Sequence, residues 1–326
     1  MQYRILGKTG FRVSEIGFGA WALGEESWGK QDSQDSLRAL HQAAELGANF
    51  IDTAAVYGNG NSEKVIAKFR KEWKGDLFIA TKTPPEAGNW PPGPHDALEA
   101  AYSEKYLRKN IEERLRFLEV DCLDLIQLHT WTRAWNKNPT SFEILRKLQK
   151  EGKVKAIGVS TPEHDQDSVT DLIKQGLVDT VQVIYNIFEQ DPASELLPTA
   201  LENNVGVIIR VAFDEGSLTG KFTKDTVFAK GDFRADYFRG ERLGRTVERV
   251  ELIQKDLVGS GYTMPQAALK FSLSNKAVST VIVGIRNEKQ AAANLAVSDL
   301  PPMPEALLNK LYKHLWRRAI WHGGDW

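Results

Sequence analysis

The chain has 326 residues, of which 42% are hydrophobic and 26% charged, and its formal net charge is −1. This composition is typical of a water-soluble globular protein, and the near-zero charge gives no electrostatic reason to expect a nucleic-acid or membrane-surface partner. No stretch approaches the roughly 18 consecutive apolar residues of a transmembrane helix, and the first residues lack the apolar core of a secretory signal. The single cysteine, Cys122, excludes an intrachain disulfide. We therefore expect a cytoplasmic protein.

The predicted elements begin with a small β-hairpin and then alternate between strand and helix. The hairpin covers residues 3–13, with glycines in its turn. Short apolar runs that are typical of strands buried on both faces follow it, separated by segments with helical apolar spacing. The predicted strands are residues 16–21, 49–52, 77–81, 123–128, 154–159, 180–184, 205–209 and 280–283. The predicted helices are residues 34–46, 63–71, 102–117, 142–151, 168–175, 193–203 and a segment near 265–274.

Repeated βαβ units of this kind indicate an α/β fold, and eight of them close into a (β/α)8 TIM barrel. A doubly wound open sheet is the alternative, but it would normally carry a glycine-rich phosphate-binding turn after its first strand. Residues 17–22 lack the third glycine of such a turn. No linker interrupts the pattern, so we predict one domain over residues 1–326. Long loops at residues 84–101, 130–140 and 213–246 are predicted to form substrate walls or lids at the C-terminal mouth of the barrel.

Polar residues lie at the C-terminal ends of several predicted strands, where an α/β barrel brings them to one mouth. Asp52 ends the second strand, Tyr57 follows it closely, and Lys82 and His129 end the next two. An ammonium beside a phenol stabilises the phenolate and lowers the phenol's pKa from about 10, and a carboxylate keeps the ammonium charged. With an imidazole that hydrogen-bonds to a substrate oxygen, these groups can protonate an oxygen that is gaining negative charge.

These residues and their surroundings resemble the aldo-keto reductase family over almost the whole chain. The residues themselves, Asp52, Tyr57, Lys82 and His129, look like the catalytic tetrad of that family. The matching stretches, in chain order, are Gly17-Phe18-Gly19-Ala20-Trp21, residues 52–58, residues 123–129, Gly158-Val159-Ser160, residues 182–186, and Gly284-Ile285-Arg286 followed by Gln290 and Asn294.

The resemblance implies a (β/α)8 barrel that binds NADP(H) across its mouth and reversibly reduces aldehydes or ketones. Tyr57 would be the general acid, tuned by Lys82 and Asp52, and His129 would orient the carbonyl. Ser160 and Gln182 would hold the nicotinamide carboxamide, and Arg286 suits the 2′-phosphate because its planar fork carries a permanent charge. The implied cofactor-binding residues are Gly19, Trp21, Asp52, Ser160, Gln182, Arg210, Gly216, Leu218, Gly220, Lys221, Gly284, Arg286, Gln290 and Asn294.

The chain differs from the family's usual pattern at two positions. Thr161 stands where many members have asparagine beside the serine, so one carboxamide contact is lost or made through a hydroxyl. Arg210 occupies a position where relatives often place an aromatic ring under the nicotinamide. A guanidinium can stack on a flat ring, but its charge disfavours the positively charged oxidised nicotinamide. The alternative for Arg210 is a structural ion pair with Asp214 or Glu215.

Tryptophans in the predicted mouth loops are candidates for a substrate wall or for loop packing. The predicted substrate-binding residues are Trp21, Tyr57, Trp90, His129 and Trp131. Such aromatic loops suit sugar faces or aromatic aldehydes. The tryptophan-rich tail, residues 315–326, is predicted either to fold over the mouth or to make a subunit contact, and the protein to be a monomer or small homo-oligomer. The histidines show no helical i,i+4 pair and no carboxylate-rich triad, so no metal site is predicted.

Two other functions remain open on the sequence alone. In a class I aldolase-type barrel, Lys82 would form a Schiff base with the substrate. That function leaves Tyr57, His129 and Arg286 without a joint role. A regulatory module would keep the reductase fold and its cofactor but serve a partner protein, as potassium-channel beta subunits do.

Overall fold

The computed structural model describes residues 1–23 and 32–317. An antiparallel hairpin of β1 (Tyr3–Ile5) and β2 (Arg12–Ser14) comes first. Eight parallel strands then close into a barrel in chain order, the last pairing with the first. The predicted (β/α)8 barrel is thus confirmed. The barrel strands are β3 (Ile16–Gly19), β4 (Phe50–Asp52), β5 (Phe78–Thr83), β6 (Leu123–Leu128), β7 (Val154–Ser160), β8 (Thr180–Ile184), β9 (Gly206–Arg210) and β10 (Val278–Gly284).

Helices surround the barrel, and their apolar stripes pack against the outer faces of the strands. Those that lie where the sequence predicts them differ only by a few residues at their ends. The helices are α1 (Ser33–Glu45), α2 (Asn61–Glu72), α3 (Leu98–Ala101), α4 (Glu104–Leu118), α5 (Thr140–Lys150), α6 (Thr170–Lys174), α7 (Leu196–Glu202), α8 (Arg234–Tyr237), α9 (Arg242–Leu257), α10 (Met264–Ser274), α11 (Glu288–Leu295) and α12 (Glu305–Leu311). None of the helices in the described part of the chain is long and apolar enough to cross a membrane.

Helix α9 corrects the sequence prediction, which assigned residues 213–246 to a loop and placed no helix between that loop and the helix near residues 265–274. Many residues of this helix are charged, and its apolar face is narrow, so the sequence pattern is weak. The face is formed by Val247, Val250, Ile253 and Leu257, all of which are buried. These positions are separated by three, three and four residues, which is the spacing of one helical face. The long loop at the mouth therefore ends at residue 241.

The hairpin closes the N-terminal end of the barrel. Leu6 and Val13 are fully buried and pack against barrel-interior side chains that include Phe50 and Ala80. The chain turns at Gly7 with φ +50°, and a Cβ atom there would lie 2.2 Å from the backbone nitrogen of Gly206, so no other residue fits this close approach. Among the described residues, the hairpin thus covers the N-terminal end of the barrel and leaves the C-terminal mouth open for a site.

The hairpin and the residue before it also form hydrogen bonds with the last barrel strand, β10, and with the segments before and after that strand. The Arg4 guanidinium donates hydrogen bonds to the carbonyl oxygens of Val278 (2.8 Å) and Leu273 (3.0 Å). The backbone nitrogen of Gln2 donates to the Ser298 hydroxyl at 2.7 Å. Nearly three hundred residues separate some of these partners in the sequence.

Of the tryptophan-rich tail, residues 318–326 lie outside the described residues. Trp316 is described, and its ring packs edge-on against Phe188 with the ring centroids 5.5 Å apart. Its backbone nitrogen donates to the Phe188 carbonyl at 2.9 Å. This part of the tail lies against the loop after β8.

Candidate active site

The C-terminal mouth of the barrel holds a cavity of about 1050 Å³. Most of the residues predicted from the sequence line it, and Lys82 is fully buried next to it. The lining residues among those predicted are Gly19, Trp21, Asp52, Tyr57, Trp90, His129, Ser160, Gln182, Arg210, Gly216, Lys221, Gly284, Arg286, Gln290 and Asn294.

A buried chain of polar contacts connects the centre of the barrel with this cavity. The Lys82 ammonium donates to Asp52 Oδ1 at 2.5 Å and to the Thr53 carbonyl at 2.9 Å. It also donates to the Tyr57 hydroxyl, at the longer distance of 3.4 Å. Because side chains alternate across a strand, Lys82 points into the barrel while its neighbours point toward the helices. The strand ends thus bring together the carboxylate, amine and phenol that the sequence predicts.

Asp52 accepts hydrogen bonds from two further side chains, of which only Gln182 is among the predicted site residues. Its Oδ2 atom accepts from Gln182 Nε2 at 2.7 Å and from Gln127 Nε2 at 3.2 Å. Gln127 was not predicted as a site residue, although its place on strand β6, two positions before His129, is a usable signal. With three donors, the Asp52 carboxylate is well compensated for its burial.

The pKa of Tyr57 is shifted in the direction opposite to the one that the sequence predicts. Burial raises the pKa of the Tyr57 phenol above its usual value, and this outweighs the nearby Lys82 charge, which lowers it. The Asp52 carboxylate also raises the Tyr57 pKa. Burial alone would lower the pKa of Lys82, but Asp52 and Tyr57 together raise it. Tyr57 is therefore protonated and Lys82 charged at neutral pH.

His129 lies beside Tyr57 at the mouth. The two rings meet edge-on, with centroids 6.1 Å apart. Burial, followed by the charges of Lys82 and Arg210, holds the pKa of His129 well below its usual value, so the imidazole is neutral at neutral pH. Its Nδ1 atom is buried and has no hydrogen-bond partner within the described residues.

Aromatic rings flank this pair on both sides. Trp21 stacks beside Tyr57 with the centroids 6.0 Å apart, and Phe233 packs against Trp21 at 4.9 Å. Trp90, which is 48% exposed, meets the edge of His129 at 4.8 Å. Phe233 comes from the long loop after β9 and was not singled out from the sequence, since nothing in its local pattern links it to the mouth.

The structure corrects the prediction that Trp131 contacts substrate. Trp131 is fully buried and does not line the cavity. Its ring packs against Trp135 and Phe142, and its indole N–H donates to Asn136 Oδ1 at 2.7 Å. The loop after β6 thus uses this tryptophan as the core of its own packing.

Two of the predicted cofactor-binding residues also lie away from the cavity surface. Leu218 is fully buried, and its backbone nitrogen already donates to the Phe213 carbonyl at 3.0 Å. Gly220 is the left-handed residue that ends this turn, with φ +70°, and a Cβ atom there would lie 2.8 Å from Gln254. Both residues support the loop from behind, which is a correction to their predicted role.

Arg210 lines the cavity, and the ion pair with Asp214 or Glu215 that was the alternative for this residue is not formed. The guanidinium lies 3.6 Å from Glu163 Oε1 and donates to the Thr161 carbonyl at 3.1 Å. Asp214 instead accepts from the hydroxyls of Ser217 (2.8 Å) and Tyr237 (3.1 Å). The two positions at which the chain departs from the family pattern, Thr161 and Arg210, are therefore in direct contact.

The loop after β9 is conformationally unusual where it borders the cavity. Val211, Asp214 and Glu215 have positive φ angles of 56°, 46° and 54°, a region that non-glycine residues rarely adopt. Burial, followed by the charges of Asp214 and Glu163, raises the pKa of Glu215 to about 8. Residues outside the two undescribed segments contain no cluster of three or more His, Cys, Asp or Glu side chains that could hold a metal ion.

Comparison with known proteins assigns this chain to a family. The model of the Aldo/keto reductase family matches residues 15–315. The chain belongs to that family. The resemblance stated from the sequence is thus confirmed, and the barrel is that of an aldo/keto reductase.

Relatives of this aldo/keto reductase have varied activities. The aldo-keto reductase YhdN of Bacillus subtilis is 31% identical over 236 residues, which cover 72% of this chain and 69% of the relative. The NADH-specific methylglyoxal reductase of Escherichia coli is 26% identical, covering 90% of this chain and 93% of the relative. A probable voltage-gated potassium channel subunit beta of Arabidopsis thaliana is 27% identical, covering 95% of each.

The glycerol dehydrogenase AKR11B4 of Gluconobacter oxydans is a solved structure similar to this aldo/keto reductase. It has a TM-score of 0.77 and 26% identity, covering 96% of this chain and 94% of that one. The relatives thus include oxidoreductases and a channel subunit, and one of the enzymes is specific for NADH. Family membership by itself therefore leaves the cofactor and substrate of this chain open.

Proposed function

We propose that this aldo/keto reductase uses NADP(H) to reduce an aldehyde or ketone reversibly to an alcohol, with Tyr57 as the proton donor. The observation that carries the proposal is the buried contact chain from Asp52 through Lys82 to Tyr57, which ends at the cavity beside His129. This is an arrangement that delivers one proton to one point of the cavity wall.

Each of these side chains has a separate chemical task in the proposal. A nicotinamide bound in the cavity would supply the hydride. Tyr57, which burial keeps protonated, donates its proton to the carbonyl oxygen as that oxygen gains negative charge. Lys82 stabilises the resulting phenolate, and Asp52 keeps the Lys82 ammonium charged and oriented. Neutral His129 donates a hydrogen bond to the carbonyl oxygen and so fixes its position.

The cavity has the chemical features that a phosphorylated dinucleotide requires. Lys221, Arg286 and Lys289 line it, and cations of this kind bind phosphate groups. A Cβ atom at Gly284 would meet nothing within 4 Å, so the backbone there faces open space that a ligand can approach. Ser160, Gln182, Gln290 and Asn294 would provide polar contacts to the carboxamide and adenine. Arg210, whose Nε atom is buried without a partner among the described residues, would border the nicotinamide.

The proposal is tested by measuring oxidation of NADPH and NADH by the wild-type protein over a panel of aldehydes and ketones. Deuterium transfer from labelled cofactor to the alcohol product, detected by mass spectrometry, identifies the reaction. Absence of turnover with every carbonyl compound, despite cofactor binding, would contradict it.

The choice between NADPH and NADH is expected to depend on Arg286. We expect the wild-type protein to prefer NADPH by at least about tenfold, and Arg286→Ala to lose most of that preference, because a bidentate arginine–phosphate contact is among the stronger charge-assisted hydrogen bonds. Fluorescence titration with each nucleotide measures both affinities. Arg70→Ala, which removes an exposed arginine from the outer face of α2, is the matched control. Equal affinities of the wild-type protein for both nucleotides would make the enzyme dual in its cofactor use.

The aromatic walls favour a substrate with a flat or ring-shaped body, such as a sugar or an aromatic aldehyde. Trp90→Ala is expected to raise KM for such substrates about tenfold, since an aromatic contact contributes about 0.5–1.5 kcal/mol beyond its buried area. The affinity for nucleotide should not change. Steady-state kinetics with one ring-shaped and one short aliphatic aldehyde measure the difference, and an equal effect on both would argue against a ring-binding wall.

A regulatory module is the second candidate function, and the similarity to a potassium channel subunit beta favours it. It predicts tight, slowly released NADP and negligible turnover. The Schiff-base alternative is not favoured, because a nucleophilic lysine must be neutral. The Lys82 ammonium is buried against a carboxylate, and its pKa is raised.

The remaining sequence expectations are part of the proposal. We infer one domain over residues 1–326, a cytoplasmic location, and a monomer or small homo-oligomer without nucleic-acid or membrane partners. Cell fractionation and light scattering of the purified protein test the location and the oligomeric state.

A further inference from the structure

A buried polar network lies on the outer side of β5, behind the proposed proton donor. It consists of Thr81 and Thr83 on β5, Glu63 on α2, and Asn110 and Arg114 on α4, and we call it the Glu63 network. The Thr81 hydroxyl donates to Glu63 Oε1 at 2.6 Å, and the Thr83 hydroxyl donates to Asn110 Oδ1 at 2.9 Å. Arg114 Nε lies 2.7 Å from Glu63 Oε2.

This network is costly to bury. Glu63, Thr81 and Thr83 are 0% exposed, and Arg114 is 3% exposed. Burial raises the pKa of Glu63 to about 7 against the opposing effects of Arg114 and Thr81. Replacing buried ion pairs by apolar residues is often neutral or stabilising, so a pair of this kind is weak evidence for a purely stabilising role. A role in fixing local geometry is the better explanation.

The two threonines of the network, Thr81 and Thr83, lie immediately before and after Lys82 on strand β5. Thr81 and Thr83 point outward to the helices because side chains alternate along a strand, while Lys82 between them points into the barrel. The hydrogen bonds that both flanking hydroxyls donate to helices α2 and α4 hold this segment of β5 from outside. Any shift of the segment moves the Lys82 ammonium relative to Asp52 and Tyr57.

The first turn of α2 also holds the loop that carries Tyr57. The Ser62 hydroxyl donates to the Ala20 carbonyl at 3.0 Å and accepts from the Thr53 hydroxyl at 2.9 Å. The Thr53 carbonyl accepts from Lys82 Nζ at 2.9 Å. The backbone nitrogen of Ala55 donates to the Lys82 carbonyl at 3.1 Å. Helix α2 therefore connects both partners of the Lys82–Tyr57 contact.

We propose that Glu63 is a positioning residue that acts through Thr81 to hold Lys82 at its working distance from Tyr57. The inference rests on the proposed function. The Lys82–Tyr57 contact, at 3.4 Å, is already at the long end of the hydrogen-bond range. A displacement of a few tenths of an ångström is therefore enough to break it, which makes the site sensitive to a support that lies outside the barrel.

Thr81→Val tests the inference, because valine keeps the shape of threonine and removes only the hydroxyl. We expect kcat to fall about tenfold, since small misplacement of a catalytic group is costly, while KM and the nucleotide Kd stay the same. The alkaline limb of the kcat profile for reduction should move to higher pH, because Tyr57 loses the charge that favours its ionisation. Thr81→Ser, which keeps the hydroxyl, should restore kcat to within about twofold of the wild type.

Thr180→Val is the matched control. Thr180 is a fully buried barrel threonine on β8, and its hydroxyl has no hydrogen-bond partner among the described residues. Glu63→Gln is a second variant, expected to lower kcat with the same pH shift. A lower melting temperature in Thr81→Val with unchanged kcat and pH profile would overturn the inference, as would failure of Thr81→Ser to restore kcat. An inactive wild-type protein would instead overturn the proposed function, and the inference with it.

Discussion

Tyr57→Phe is expected to lower kcat for carbonyl reduction by about 10²- to 10⁴-fold, the range for removal of a positioned general acid. The substitution removes one oxygen atom and leaves the ring in its place beside Trp21. Lys82 keeps its contacts with Asp52 and the Thr53 carbonyl. Nucleotide affinity, measured by fluorescence titration, should therefore stay within about twofold of the wild type while turnover is lost.

Tyr262→Phe is the control for this experiment. The Tyr262 hydroxyl donates to the Pro301 carbonyl at 3.1 Å in an exposed position, and Tyr262 does not line the cavity. Its removal should leave kcat unchanged. Retention of a large part of the wild-type kcat by Tyr57→Phe would contradict the assignment of Tyr57 as the proton donor.

Asp52→Asn is expected to lower the free energy of unfolding by about 3–5 kcal/mol, because it leaves the buried Lys82 ammonium without an opposite charge. Lys82→Met should cost less, since Asp52 keeps its hydrogen bonds from Gln182 and Gln127. The double variant should be more stable than the sum of the single effects predicts, as the unpaired charge is then absent. All three variants should be inactive in carbonyl reduction.

Urea denaturation of the wild type and the three variants, followed by circular dichroism, measures these differences. The variant Lys153→Met serves as a control, because Lys153 forms a partly exposed ion pair with Glu112 at 3.0 Å, and such pairs contribute about 0–1 kcal/mol. Equal stability of Asp52→Asn and Lys82→Met would contradict the prediction that an unpaired Lys82 ammonium costs more than an unpaired Asp52 carboxylate. If the two single effects add up in the double variant, Asp52 and Lys82 contribute independently to the free energy of unfolding.

Much of the site could be predicted because it lies at strand ends. Asp52, Lys82 and His129 each end an apolar run, and the closed parallel barrel brings such ends together whatever the loops do. Gln127 was missed because its position two residues before His129 indicates the mouth of the barrel but does not identify its partner, Asp52, which lies on another strand. Trp131 was misassigned for a related reason, since a tryptophan just after a strand can point into the cavity or into the packing of its own loop.

The partner of Arg210 could not have been predicted from sequence proximity. Asp214 and Glu215 are only a few residues away, yet the chain turns at Val211 with φ +56°, and Asp214 accepts hydrogen bonds from Ser217 and Tyr237 instead. Glu163, which lies on the loop after β7, two strands away from β9 in the barrel, is brought to the guanidinium instead. Contacts of this kind depend on backbone conformations of two loops, which local residue patterns do not determine.

The hairpin that closes the barrel floor has a consequence for folding during protein synthesis. Arg4 and Gln2 leave the ribosome long before their partners Leu273, Val278 and Ser298, which lie roughly 270 to 300 residues later in the chain. The apolar side chains Leu6 and Val13 therefore have no complete binding surface until the last barrel strands, β9 and β10, have been translated. Contacts this distant in sequence form slowly. The last strand to be made completes both the barrel wall and its floor, so barrel closure occurs late, and exposed apolar surface before that point invites aggregation or chaperone binding.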